Sequence, residues 1–479
     1  MIKFSLPLIF AIILQALYGA VDLIIVGNFG DAASVSAVAT GSHIMQTVTG
    51  IITGFTMGIT VVIARLIGAN EKHRVADVIG NVTVLFGIFA IVITVVMMSM
   101  SGLFAEWMQA PPEAFEQCVQ YVLICSAGTI FIVAYNVISG IFRGLGNSNL
   151  PLIFIAIACI VNIVFDLIFV GAMKLDAIGA ALATVLAQAV SVACSLYMIK
   201  KKKSLLDLHR YNFRLDKKIT KKVLRVGSPI ALQDGLTNVS FLIIHAFINT
   251  IRVAQSASVG IAEKLFVILS IVPMAFMSTL AAVVAQNEGA GFKKRSNIAL
   301  LEGIGVSLAF GIATCIFTVL GGDILARIFT SDPAVIQATF DYLKTSGWEY
   351  LIIAVLFCIL GYFNGKGKTI MVMLQGVLST FLFRIPLSYY YSNLPNSTMY
   401  DMGIPIPISA LAALLLCFVY MIILHLKDKK ELSVNGDIDL NHISDDGEIV
   451  SLITERKTAA FNSEEESDDN KILSENEEF

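Results

Sequence analysis

Charge is scarce in this chain. Asp, Glu, Lys and Arg make up 14% of its 479 residues, where an ordinary soluble domain carries about a quarter. That excludes a water-soluble globular fold of normal composition. Histidine is scarce too, and its six residues show no HExxH or other metal-ligand spacing, so a zinc hydrolase is excluded. The seven cysteines (118, 125, 159, 194, 315, 358 and 417) lie within apolar segments, without metal spacing and without pairs in loops. They read as free thiols serving as small hydrophobes. A phosphate loop is missing: "GYFNGKGKT" resembles one, but Tyr362 stands where the first glycine is needed. No nucleophile stands beside a base, so the chain is not expected to be an enzyme, and no cofactor is expected. The first apolar run is too long for the core of a signal peptide, and no small-residue cleavage site follows it. It is expected to stay as a transmembrane helix.

What is present is apolar surface. Hydrophobic residues make up 56% of the chain and the mean hydropathy is +0.79, the composition of a polytopic membrane protein. Twelve apolar segments are long enough to cross a core of about 30 Å at about 1.5 Å per residue. They run over 4–27, 33–66, 77–104, 116–143, 150–171, 177–199, 224–250, 255–287, 298–321, 335–363, 369–391 and 403–426. The net charge of −3 conceals an asymmetry, because acids crowd the end of the chain ("NSEEESDDN", "SENEEF"). That end lacks apolar periodicity and reads as a disordered cytoplasmic tail. The remaining connections alternate. "NEKHR", "RGLGNSN", the linker from Lys200 to Lys222, "GFKKRS" and "NGKGK" are basic. "NFGDAAS", "EWMQAPPEAFEQ", "MKLDA", "RVAQS", "RIFTSDP" and "SNLPNSTMYD" carry few bases. Basic loops face the cytoplasm, so both termini are expected there, on a multi-pass protein of the plasma membrane. The linker's lysines are explained by topology and anionic lipid rather than by nucleic acid.

The chain also repeats itself. "ARLIGAN" at Ala64 recurs as "AQNEGAG" at Ala285, and "APPEAFEQCVQYV" as "SDPAVIQATFDYL". "GIFRGLGNS" at Gly140 recurs as "GYFNGKGKT" at Gly361, all with one offset of 221 residues; Pro7 recurs as Pro229. Six spans per half keep the halves parallel. The expected fold is therefore all-α and membrane-integral, with twelve transmembrane helices in two six-helix bundles related by a pseudo-two-fold axis along the membrane normal. The expected divisions are a first lobe over 1–199, a basic linker over 200–222, a second lobe over 223–427 and an acidic tail over 428–479. A cleft between two such lobes is the usual place for a transported substrate.

Acids inside apolar spans are costly and functional by default. In "YGAVDLIIVGNFGD", Asp22 lies about 7 Å beyond the centre of the first span, toward the outside. Asp166 lies about 9 Å beyond the centre of the fifth, and Thr184 about 10 Å below the outer end of the sixth. Asn162 stands one turn from Asp166 on the same face. Asp22, Asn162, Asp166 and Thr184 thus share one depth and can converge. Away from water, such a group can hold a proton or a small hard cation such as Na⁺, and filling it can change helix packing, as coupling requires. The plainer alternative for Asp22 is a hydrogen bond that glues two helices. Further candidates lie in or near the second half: Asp234 and Asn238 in the seventh span, Glu263 and Lys264 in the eighth, and Arg384 in the eleventh. For the charged members a structural ion pair is as good a reading as a transport role. Gln15, Met57, Met274 and Phe276 are possible cleft-lining residues, although core or lipid packing is the favoured reading for the Met and Phe.

"AVDLIIVGNFGDAASVSAVATG", the paired "ARLIGAN" and "VVAQNEGAG", "RGLGNS", "NIVFDLIFVGAMKLDAIGAALATVLAQ" and "SPIALQD", in that order, resemble the multidrug and toxic compound extrusion (MATE) family. "IAEKL" and "ALQD" are closer to its DinF-like branch. The resemblance spans about Ser5 to Lys427 and leaves the tail outside. It implies two six-helix bundles that exchange cation for substrate by alternating access. It also implies that Asp22 matches the family's coupling acid in the first helix, and that Asn162, Asp166 and Thr184 match the cation site of part of the family. The chain departs from the branch that has acids in the seventh and tenth spans of the second lobe. Near the first of those places stands Asn238, with Asp234 close by, and the tenth span has only Glu349.

The expected function is secondary active antiport. A monomer would export an amphipathic, cationic organic compound in exchange for H⁺ or Na⁺. A lipid-linked oligosaccharide flippase of the same superfamily would need deep bases for a pyrophosphate, and here these are limited to Lys264 and Arg384. A cation channel would need a continuous polar stripe along its spans.

Overall fold

The computed structural model describes residues 1–201, 209–249, 253–394 and 397–435. Those residues are helical throughout, joined by short turns. The chain forms two compact units, Met1–Phe418 and Val419–Phe479. The acidic tail beyond Asn435, and residues 202–208 of the linker, lie outside the described residues.

The first half runs α1 (Ile2–Phe29), α2 (Ala32–Gly68), α3 (Lys72–Ser99), the short α4 (Ser101–Trp107), α5 (Phe115–Ala127), α6 (Thr129–Gly144), α7 (Asn149–Asp166) and α8 (Asp176–Lys201). The second half runs α9 (Lys217–Asn249), α10 (Val253–Leu269), α11 (Ile271–Gly289), α12 (Lys293–Arg327), α13 (Pro333–Ser346), α14 (Glu349–Gly365), α15 (Thr369–Leu378), α16 (Ile385–Ser392), α17 (Met399–Gly403) and α18 (Pro405–Asn435). A π-helical turn continues α7 over Leu167–Ala172, and a second, Ser379–Arg384, joins α15 to α16.

Among the described residues, eight helices are long and apolar enough to cross a membrane, and three bent pairs bring the number to eleven. The pairs α5/α6 and α13/α14 bend by 48° and 50°, and Ser258–Leu269 with Ile271–Gly289 by 45°. The remaining expected span, the seventh, 224–250, falls on α9, which is not among them. It is a 33-residue helix, but a basic turn opens it and Gln233, Asp234, Thr237, Asn238 and Ser240 dilute its middle. Large apolar side chains such as Ile91 and Val95 on α3, Leu320 on α12 and Leu382 are exposed, as a surface meant for acyl chains must be.

The same turns recur in the two halves at the 221-residue offset. Asn70 and Gly291 have positive φ of 59° and 76°, and Gly146 and Gly367 have 82° and 71°. The halves meet chiefly where α2 packs on α9 and α11. At the basic-loop end the approach is so close that a Cβ on Gly68 would collide with the Gln286 carbonyl, and one on Gly289 with that of Arg65. Small residues at helix seams are how membrane helices gain van der Waals contact. Arg65 Nη2 then donates to the Gly365 carbonyl at 3.3 Å. The described part of the linker is strapped to α3: Asn212 donates to Asp77 Oδ1 at 2.7 Å, and Asn81 to the Asp216 carbonyl at 3.1 Å.

Candidate functional site

In a helix as apolar as α1 most side chains belong in lipid, and Leu17, Ile24 and Phe29 are indeed exposed. The buried stripe near its end is narrow: Asp22, Ile25 and Val26. Asp22 is 3% exposed, while Asn162 and Asp166 are fully buried, so the acid points into the protein. Facing it is the last turn of α7, where the four-residue spacing puts Asn162 and Asp166 on one side. Immediately beyond Asp166 the helix widens into its π-helical turn, closed by Met173 N–H donating to the Ile168 carbonyl at 2.8 Å. Such turns frequently mark functional sites, because they re-aim side chains within a helix.

The third wall is α8. Thr184 Oγ1 donates to Asp22 Oδ2 at 3.2 Å, and the Tyr18 hydroxyl donates to the Thr184 carbonyl at 3.2 Å. The Asp22 carboxyl lies within interaction range of Asp166, Asn162 and Thr184. The structure therefore brings these four residues together. Asp22 Oδ1, both Asp166 oxygens and both amide atoms of Asn162 are buried without a well-aligned hydrogen bond. The groups acting on the two carboxyls are each other, Asn162 and Thr184, and none is a base. Two buried carboxylates without a counter-charge are very costly. A proton or a small cation among those oxygens relieves the cost, and the hard oxygen donors suit either.

Tyr18 and Tyr121 complete the surroundings, both within electrostatic range of Asp22. Neither stands out as a site residue in the sequence. Tyr18 carried a signal, since it stands four residues before Asp22 and so shares its helix face. Tyr121 had none, because only the tertiary packing of α5 places it there.

The second-half candidates do not join this cluster. Along α9, Gly227, Ala231 and Gly235 face α2. Asp234 stands one position aside, half-buried, and Asn238 donates its amide to the Asp234 backbone carbonyl at 2.9 Å. Gln15 and Lys264 are exposed. Met57 and Phe276 are core residues, each at most 4% exposed. Glu263 and Arg384 belong to a separate group, both within electrostatic range of buried Tyr342, as is Glu349. Glu349, named in the sequence only as the tenth span's acid, is buried in the first turn of α14.

A bundle of membrane-spanning helices folded twice over, with polar groups buried inside the first copy, is the architecture of a membrane transporter. The MatE family model matches residues 7–168 and again 229–390, and the chain belongs to that family. It is similar to the "Probable multidrug resistance protein YpnP" of Bacillus subtilis, 25% identical over 393 residues, covering 82% of this chain and 88% of the relative. It is also similar to the "Multidrug export protein MepA" of Staphylococcus saprophyticus, 24% identical over 426 residues, 88% of this chain and 93% of the relative. Among solved structures, an "outward-facing conformation of a multidrug resistance MATE family transporter" superposes with a TM-score of 0.82 at 23% identity. It covers 88% of this chain and 94% of that one.

Proposed function

We propose that this multi-pass membrane transporter is a multidrug exporter, a secondary active antiporter in which H⁺ or Na⁺ binds among Asp22, Asn162, Asp166 and Thr184 while an amphipathic organic cation leaves the cell. The observation that carries this reading is the pair of buried carboxyls with no base beside them among the described residues. Their uncompensated charge is what an exchangeable cation neutralises, and occupancy then alters how α1, α7 and α8 pack. Membership of the MatE family and the likeness to multidrug export proteins support export of drugs as the cargo class. The reading carries twelve spans, with α9 as the seventh, in two lobes over 1–199 and 223–427. These are joined by the linker 200–222 and followed by the tail 428–479, with both termini cytoplasmic and the monomer as the working unit. The DinF-like assignment rests on "ALQD" and "IAEKL" alone.

The test uses the full chain in proteoliposomes loaded with a fluorescent lipophilic cation. A proton gradient and a sodium gradient are imposed separately, and one of them should drive efflux. Asp22→Asn should abolish that efflux while inserting normally; wild-type efflux by this variant would overturn the coupling scheme.

A further inference from the structure

We propose that Arg384 is a tethered cation, filling in the second half the place that the exchangeable cation takes beside Asn162 in the first. The inference rests on the coupling reading above and adds that only one half exchanges its cation. The repeat supplies the first observation. Pro229 follows Pro7 by 222 residues and Tyr342 follows Tyr121 by 221. The two family matches, 7–168 and 229–390, are equal in length and start 222 apart. Arg384 therefore corresponds to Asn162 or to its neighbour Ile163.

Local structure supplies the second observation. Asp166, one turn after Asn162, is the last residue before the π-helical turn of α7, and Arg384 is the last residue of the π-helical turn between α15 and α16. Each half thus has a π-helical turn close to this position, after Asn162 in the first and ending on Arg384 in the second, although the two turns do not fall on repeat-equivalent residues. The surroundings supply the third. Tyr121 lies buried within range of Asp22, and its repeat mate Tyr342 lies buried within range of Glu263, Glu349 and Arg384. In the first half Asp22 is within range of the tyrosine, with Asp166 beside Asp22; in the second, Glu263 and Glu349 are both within range of it. Among the described residues, no base acts on the first pair, while Arg384 acts on Glu349 in the second.

The ionisable groups of this second cluster come from every side: Glu263 on α10, Tyr342 on α13, Glu349 and Tyr350 on α14, and Arg384 itself. Lys264, next to Glu263, is exposed. A guanidinium cannot leave its site and does not deprotonate in proteins. Acids held by it keep the second half in one charge state through the cycle, and the cation-dependent change in packing is confined to the first half.

The experiment measures ethidium efflux from proteoliposomes as a function of external Na⁺ and, separately, of external pH. Arg384→Lys should behave like wild type. Arg384→Asn should lose about tenfold or more of its rate at low cation concentration, the order expected when one partner of a partly buried charge group is removed. High Na⁺, low pH or added guanidinium should restore it, with a steeper cation dependence than wild type. An Arg384→Asn protein that transports with wild-type cation dependence would overturn the proposal, as would a folded one that no cation rescues. If that variant does not fold, binding of radioactive sodium to the isosteric Asp22→Asn/Asp166→Asn protein decides. No stoichiometric sodium should remain. Residual sodium that Glu349→Gln removes would show a mobile cation in the second half and overturn the proposal. Wild-type coupled efflux by Asp22→Asn/Asp166→Asn would instead overturn the first-half reading, independently of Arg384.

Discussion

Among the described residues, no base acts on the Asp22 and Asp166 carboxyls. Removing one charge should therefore relieve the fold rather than damage it. Asp166→Asn, isosteric and neutral, is expected to melt at or above the wild-type temperature in detergent while losing cation-dependent efflux; a large drop in melting temperature would mark the acid as structural. Asp31, at the start of α2, behaves differently. Its Oδ1 accepts from the Ser34 hydroxyl and from the Ser34 amide at 2.7 Å, and these bonds hold its carboxyl below the usual carboxylate range. A group depressed in the folded state contributes stability above its unfolded pKa and loses it as pH falls through its folded one. Asp31→Ala should therefore lower the melting temperature at neutral pH, and the gap to wild type should close on strong acidification. Asp22, Asn162, Asp166 and Thr184 were legible as candidates because polar groups in apolar runs stand out and helical rise fixes their depth. Tyr121 was not legible, because an aromatic residue in an apolar helix is indistinguishable from core.

The helices themselves followed from apolar length, and their ends from basic or Gly-rich turns. The bends did not. Breaks at Gly128, Ser270 and Gly347–Trp348 interrupt runs that read as continuous apolar segments, because hydropathy measures length and not direction. The π-helical turns were equally invisible, since they alter hydrogen bonding without altering composition. The seam between α2 and α11 makes a test at this scale. Gly289→Val must push side-chain atoms into the Arg65 backbone. It should cost about 1–3 kcal/mol, the usual range for overpacking, seen as a lower melting temperature. Gly50→Ala is the control, because a Cβ there meets nothing within 4 Å. It should be neutral or slightly stabilising.

Across the whole molecule, the positive-inside pattern predicts which turns face which side. Cysteines introduced at Asn147 and Lys366 should react with an impermeant thiol reagent only from the cytoplasmic face, and those at Glu113 and Asp332 only from outside. Labelling of either pair from the opposite side would invert the transport direction proposed above. The sequence by itself determined that the chain lives in a membrane, that it repeats, and which acids are candidates for coupling. Hydrophobic length, loop charge and internal similarity are properties of the chain read in order, and they need no fold. Tertiary structure alone decided that Asp22 and Asp166 face each other without a base, while Glu263 and Glu349 gather with Arg384. Those meetings join helices far apart in the chain, and only their packing sets which charges share a low-dielectric space.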